Sequence, residues 1–150
     1  MNYIIRPAKK SDIKSIWQIR NHPTARQVSG CDKIIPLENH ISWFKQKYFS
    51  GHDNHCFVLE NKNKKVFGYC RFDFTSEHNW HVISIAIDPK QRQKGLGHLL
   101  LSQSLSEFKS NKIIHAEIQK NNTASIKLFQ KNNFSVYRQD DKNYYLKHNR

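Results

Sequence analysis

The stretch VISIAIDPKQRQKGLGHLLLSQSL, residues 82–105, decides the fold of this chain. Its first six residues form an unbroken β-rich apolar run, which predicts a strand buried on both faces. An Asp-Pro pair ends that strand, and a basic loop leads to Gly95 and Gly97. Beyond the glycines, leucines recur at helical spacing. The sequence therefore predicts a strand, a glycine-bearing loop and a helix, in that order.

The junction of this loop and helix is a place where an anion would be stabilised. Backbone N–H groups of the loop and the positive end of the helix dipole point there together. Because Gly95 and Gly97 lack a Cβ, a phosphate can approach the main chain closely. His98 stands where a Walker loop needs lysine, and Leu100 stands where a dinucleotide fingerprint needs its third glycine. Both of those nucleotide sites are thereby excluded.

The remaining elements are predicted in the order β-α-α-β-β-β-α-β-α-β-β. Strands are expected at residues 3–6, 56–59, 66–74, 82–87, 113–118, 134–138 and 144–146. Helices are expected to start at Ser11, at Pro36, at the two glycines and at the Asn121–Thr123 segment. Residues 24–35 have no clear period and predict a polar loop, and Asn133 predicts a left-handed C-cap.

The loop Arg92-Gln93-Lys94-Gly95-Leu96-Gly97, together with the strand before it, resembles the acetyl-CoA pyrophosphate loop of the GNAT family of N-acetyltransferases. The later residues Asn121, Ala124-Ser125-Ile126 and Lys131-Asn132-Asn133-Phe134 look like the family's C-terminal pattern, with Asn133 replacing the usual glycine. The resemblance covers the whole chain. It implies a single GNAT domain, residues 1–150, of α/β (α+β) class. That fold has a mixed central sheet of about seven strands, splayed central strands and four helices.

The resemblance also implies acetyl-CoA as co-substrate, and no metal. Its binding residues would be the backbone of the central strand, the loop and three residues beyond it: Ile85, Ala86, Ile87, Arg92, Gln93, Lys94, Gly95, Leu96, Gly97, Asn121, Ser125 and Phe129.

The N-terminal half contains Arg20-Asn21-His22-Pro23, Arg26, Leu37, His40 and Trp43-Phe44. These residues resemble those of the subgroup that acetylates the 4-amino group of UDP-linked 4-amino-4,6-dideoxy sugars, in pseudaminic and legionaminic acid-type surface glycan pathways. This match implies substrate contacts from Arg20, Asn21, His22, Arg26 and Trp43. The two arginines would suit a diphosphate, and Trp43 would stack on a base or sugar. Arg20 as a helix-end ion pair and Trp43 as plain core remain open. Acetylation of a protein N-terminus or lysine is the alternative enzyme hypothesis.

Direct attack in a ternary complex needs a base for the acceptor amine and donors for the oxyanion. The family's usual glutamate base is Val82 here, and its usual tyrosine acid is Phe129. His81 and Glu117 are the candidate bases, although alternation aims His81 at the opposite face. Tyr137, Tyr144 and Tyr145 are the candidate acids. Because the usual groups are missing, a non-catalytic module that binds acetyl-CoA or nucleic acid is the hypothesis of another class.

Composition sets the remaining limits. The net charge of +13, from 25 basic and 12 acidic residues, is spread along the chain, which disfavours nucleic acid and suits polyanionic small molecules. No apolar run approaches the ~20 residues of a membrane span, and no secretory segment is seen, so we expect a cytoplasmic protein. Cys31, Cys56 and Cys70 predict reduced thiols. Histidine pairs at 52/55 and 78/81 lack further ligands at a metal spacing. A homodimer is compatible with the resemblance.

Overall fold

The computed structural model describes residues 2–28, 33–92 and 94–149, apart from the side chain of Val28, and builds them around one seven-stranded sheet. The strands are β1 (Tyr3–Pro7), β2 (His55–Asn61), β3 (Val66–Thr75), β4 (Trp80–Ile87), β5 (Ile113–Gln119), β6 (Phe134–Gln139) and β7 (Asn143–His148). The helices are α1 (Ile13–Asn21), α2 (Pro23–Val28), α3 (Leu37–Tyr48), α4 (Leu96–Glu107) and α5 (Thr123–Lys131). None of these helices is long and apolar enough to cross a membrane.

The strands follow the order β1-β2-β3-β4-β5-β7-β6, and only the β4–β5 pair is parallel. Each face of the sheet has its own core. Helices α4 and α5 cover one face, where Phe72, Leu100 and Leu146 are fully buried. Helices α1 and α3 cover part of the other, around Ile16 and Phe44. The predicted mixed sheet of seven strands is confirmed.

The two central strands splay apart, as expected. They pair only at Trp80–Ile113, His81–Ile114 and Val82–His115, whereas β4 runs on to Ile87 and β5 to Gln119. Within the described part of the chain, the edge of β4 facing β5 therefore has no strand beside it beyond Val82. This corrects one prediction: apart from Ile83, residues 82–87 are only half-buried, because an apolar run here lines an open cleft instead of filling a core.

The helices depart from prediction in two places. Five helices are described instead of four, because α2 (Pro23–Val28) takes up the first part of the predicted polar loop, residues 24–35. Pro23 ends α1 but also suits the first position of a new helix, since it has no N–H to leave unpaired. Ser11 does not cap α1, because it lies in a short 3₁₀ turn, Lys10–Asp12, just before the helix. The Asp12 carboxylate accepts a hydrogen bond from the Lys9 N–H at 2.7 Å, which closes that turn and does not cap α1.

Both predicted features around α5 are present. The side chain of Asn122 accepts a hydrogen bond from the Ser125 N–H at 3.3 Å, which caps the helix. Asn133 follows the helix with φ of 68°, in the left-handed region that Asn tolerates better than most residues.

Candidate functional site

The predicted phosphate loop lies at the N-terminus of α4. Gly95 has φ of 74° and immediately precedes the helix, so this twelve-residue helix turns its first N–H groups toward the loop. Arg92 and Lys94 are exposed beside it, whereas Gln93 lies outside the described residues. The side chain of Leu96 is buried in the core, which leaves its backbone for any ligand. The arrangement suits a diphosphate.

The two glycines serve different purposes. A Cβ at Gly95 would meet no atom within 4 Å, so its need for glycine comes from the left-handed φ. Gly97 lies within α4, where a Cβ would touch Leu128 at an ordinary 3.4 Å. A side chain at position 97 is therefore compatible with the fold. It would, however, block an anion from approaching the backbone there.

The predicted pantetheine contacts sit on either side of the cleft between β4 and β5. Ile85, Ala86 and Ile87 pair with β3 on one edge, and their other edge faces the cleft. Asn121 is exposed at the far end of β5. Phe129 is different: its side chain is 2% exposed and its ring centroid lies 4.9 Å from that of Phe134, so it packs in the core.

Two of the predicted substrate residues come together on the face covered by α1 and α3, which we call the acceptor face. The Arg20 guanidinium lies 4.4 Å from the ring centroid of Trp43, a cation–π contact. The half-buried indole therefore has a cation stacked against it.

The other three predicted substrate residues hold the α1–α2 junction. Asn21 donates to the Ile35 carbonyl at 2.7 Å and accepts from the Ile35 N–H at 2.9 Å. His22 accepts from the Thr24 N–H at 3.2 Å, and Arg26 donates from Nε to the Asn21 carbonyl at 3.0 Å. With both ends of its amide used, Asn21 is better placed to position this segment than to contact a substrate.

The acceptor face of β3 carries a charged cluster that was not predicted from the sequence. The Arg71 guanidinium lies 5.4 Å from the Trp43 ring centroid, so two arginines flank one indole. Tyr48 donates to Asp73 at 2.6 Å, and Arg71 pairs with the other oxygen of Asp73 at 3.4 Å. The Nε atom of Arg71 is buried and has no partner among the described residues. The sequence does contain a signal for this cluster: Arg71 and Asp73 stand at alternate positions of an otherwise apolar strand, which places both on one face.

The candidate base His81 faces away from the acceptor. Its register with β3 is continuous, so alternation turns the ring to the α4 side, where it is fully buried. There it lies against Phe108 and Phe74 and its Nε2 is 3.1 Å from the Asp53 carbonyl. The geometry thus argues against His81 as the base.

Glu117 and Tyr137 do lie on the acceptor face, together with a residue that the sequence did not single out. Glu117 is exposed and accepts a hydrogen bond from Asn143 at 3.2 Å. Two residues earlier on the same face, His115 Nδ1 lies 3.1 Å from the Tyr137 hydroxyl. Tyr145, in contrast, donates its hydroxyl to Asp140 at 2.6 Å.

His115 is held in a fixed orientation. Its ring stacks on Trp80 with centroids 4.2 Å apart and planes inclined by 6°. Burial, with the neighbouring charges of Arg138, His78 and Lys147, lowers the pKa of His115 to about 4. The imidazole is therefore neutral at physiological pH and has a lone pair available.

Comparison with known proteins agrees with this geometry. The sequence model of the Acetyltransferase (GNAT) family matches residues 13–134. An L-amino acid N-acyltransferase, MnaT, from Escherichia coli is 30% identical over 139 residues, covering 88% of this chain and 79% of the relative. The acetyltransferase PseH from Campylobacter jejuni is 25% identical over 138 residues, covering 89% and 83% respectively.

A solved structure extends the likeness to the whole fold. The structure of yncA from Salmonella typhimurium with its cofactor acetyl-CoA superimposes with a TM-score of 0.82 at 25% identity, covering 98% of this chain and 93% of that one.

Proposed function

This chain belongs to the Acetyltransferase (GNAT) family, and from that premise we propose that its acceptor is the amino group of a nucleotide-linked amino sugar. The protein is an acetyl-CoA-dependent N-acetyltransferase that acts on a small-molecule amine. The main support for a nucleotide-linked amino sugar as the acceptor is the pair of guanidinium groups of Arg20 and Arg71, which both contact the indole of Trp43.

That arrangement matches the chemistry of a nucleotide sugar. A guanidinium binds phosphate oxygens through paired N–H donors, and an indole offers a flat apolar surface to a base or a sugar ring. Among the described residues the buried Nε of Arg71 has no hydrogen-bond partner, and an anion bound beside it would satisfy this otherwise costly N–H. A net charge of +13 adds long-range attraction for a polyanion.

The residues that would hold acetyl-CoA fit it: exposed Arg92 and Lys94 and the N-terminus of α4 for the diphosphate, and the open edge of β4 for the extended arm. Bound acetyl-CoA supplies the acetyl group as a thioester. Backbone N–H groups on the free edge of β4 are the natural donors for a developing oxyanion.

The residues that would accept and donate protons during acetyl transfer lie on the acceptor face. His115 is neutral, and it takes the proton that the amine releases as it attacks the thioester, directly or through one water. Its lowered pKa makes it too weak a base for a free ammonium, so the acceptor amine reacts in its neutral form. Tyr137, hydrogen-bonded to the same ring, is the matching donor. Glu117 is the second candidate for the base, since it is exposed on the same face.

A free amino acid is the second candidate acceptor. A relative that is 30% identical bears the name of an L-amino acid N-acyltransferase. A carboxylate would satisfy Arg71 through a single bidentate contact, without needing Arg20 or Trp43.

The test is mass spectrometry of an acceptor panel incubated with acetyl-CoA: UDP-linked 4-amino-4,6-dideoxy sugars, free L-amino acids and N-terminal peptides. We expect an acetyl gain on the UDP-sugar. Arg20→Ala and Trp43→Leu should then raise KM for the UDP-sugar, whereas Lys62→Ala, which removes an exposed charge in the β2–β3 turn, should not. Acetylated amino acids alone, with a KM that only Arg71→Lys raises, would establish the second candidate. Acetylated peptides alone would refute both.

A further inference from the structure

Two of the histidines that the sequence presents in separate local pairs meet in space. The segment after α3 brings Asp53 beside His55 at the start of β2 and His81 near the start of β4. His55 Nε2 lies 2.9 Å from Asp53 Oδ1, and His81 Nε2 lies 3.3 Å from Asp53 Oδ2. We call these three residues the Asp53 cluster.

The donor set and spacing suit a transition metal. One ligand atom from each residue lies within 4.8 Å of the other two. Tetrahedral zinc with bonds of about 2.0–2.1 Å needs ligand atoms roughly 3.3 Å apart, so small side-chain rotations would close the set. Two imidazoles and a carboxylate, with water in the fourth position, are an ordinary zinc environment.

The two imidazoles are already held in place. The ring of Phe108 lies 5.1 Å from the His55 ring and 4.8 Å from the His81 ring, centroid to centroid. Both histidines stand on strands joined through β3, so their separation is fixed by the sheet. His81 is fully buried, whereas Asp53 and His55 are exposed, which leaves the cluster open to solvent on one side.

Lys112 is the competitor for the site. Its Nζ lies 2.9 Å from Asp53 Oδ2, where it neutralises the carboxylate. Its side chain is about one-third exposed and precedes β5, so it can turn out to solvent when a dication arrives. A metal would also take His81 Nε2 from the Asp53 carbonyl, 3.1 Å away.

We propose that Asp53, His55 and His81 form a binding site for Zn²⁺ that ties the segment after α3 to the central sheet. The site is separate from acetyl transfer, because His81 faces the α4 side and lies at the end of β4 opposite the phosphate loop. Its effect is on stability, since a ligand that binds only the folded chain raises the melting temperature.

The experiment titrates zinc chloride into the chelator-stripped, tag-free full chain, and follows Tm and binding by competition with a fluorescent zinc indicator. We expect one zinc per chain and a Tm that rises with zinc. Asp53→Asn and His55→Gln should weaken affinity at least about tenfold. His52→Gln and His78→Gln, exposed neighbours outside the cluster, should keep it.

Lys112→Met distinguishes the two explanations of the cluster, a zinc site and an ion-pair network. Only a zinc site predicts that zinc affinity rises in this variant. With the competing ammonium removed, zinc should bind several-fold more tightly. If Lys112→Met leaves zinc affinity unchanged, or if Asp53→Asn and His55→Gln bind zinc like the parent, the cluster is an ion-pair network and the proposal fails. Absence of saturable zinc binding to the parent would overturn it outright.

Discussion

Val82 and His115 form the last register pair between β4 and β5 before the two strands separate. Val82 stands at the position where the family resemblance places a glutamate base, and its side chain cannot move a proton. In a parallel pair the partner's side chain lies on the same face of the sheet. Register therefore places two titratable groups beside Val82 on this face, His115 on β5 and Asp73 on β3. Asp73 already accepts a hydrogen bond from Tyr48 and pairs with Arg71, which leaves His115 as the candidate base.

We predict that His115→Gln lowers kcat/KM by about 10²–10⁴-fold, the usual contribution of general acid–base catalysis. The fall in kcat/KM at acidic pH should also be less steep in this variant than in the parent. Gln keeps a polar group beneath Trp80 but has no basic nitrogen. Steady-state rates across pH check this. Tyr137→Phe should cause a smaller loss. If Glu117→Gln abolishes activity while His115→Gln does not, the base is Glu117.

The two loop glycines should separate folding from coenzyme binding. Gly97→Ala adds a methyl group at ordinary contact distance inside α4, so stability should hold or rise by up to about 1 kcal/mol. If the loop binds the diphosphate as proposed, acetyl-CoA affinity should fall, because the added methyl group would keep the anion away from the backbone. Calorimetric titration and urea unfolding measure the two effects.

Gly95→Ala should instead cost stability, about 1–2 kcal/mol, since alanine is strained at a φ of 74°. Unchanged acetyl-CoA affinity in both glycine variants would contradict the assignment of this loop.

Gly68 is required by packing. A Cβ there would lie 2.7 Å from the Ile87 side chain and 2.9 Å from the Ala86 carbonyl oxygen. Because the second contact is backbone, β4 itself would have to move. We predict that Gly68→Ala destabilises the fold by about 1–3 kcal/mol and weakens acetyl-CoA binding, since the same stretch of β4 lines the cleft. A variant with parental urea midpoint and affinity would show that the strand yields freely.

Most helices and strands were predicted correctly from the sequence, because they depend on patterns among neighbouring residues. The apolar run before Asp88 and the glycines after it fix β4 and α4, and Asn122 fixes the start of α5. Pro23 was misleading, since one proline both ends α1 and begins α2.

Side-chain contacts between different strands and helices could not be predicted from the sequence. His115 with Tyr137, and Arg71 with Trp43, meet through strand register and helix packing, which no local spacing encodes. The same limit hid the Asp53 cluster, whose two histidines belong to different local pairs.

Stability should fall as the pH drops from 7 to 5, in part through His40. This side chain is 1% exposed beneath Trp43 and Phe44, and burial, with the charge of Arg20, lowers its pKa to about 4. The unfolded chain takes up a proton near its ordinary pKa of about 6.5, while the folded chain does not. Protonation therefore favours unfolding across this window, by at most about 1.4 kcal/mol per pH unit for one histidine.

His40→Gln removes this group, so its free energy of unfolding should depend less steeply on pH between 7 and 5 than that of the parent. Urea unfolding at three pH values measures the difference, and exposed His52→Gln shows what loss of a surface imidazole does. His115, whose pKa is also lowered to about 4, should contribute in the same direction, so a double variant should be flatter still. Parallel stability curves for the parent and His40→Gln would mean that His40 titrates alike in the folded and unfolded chains.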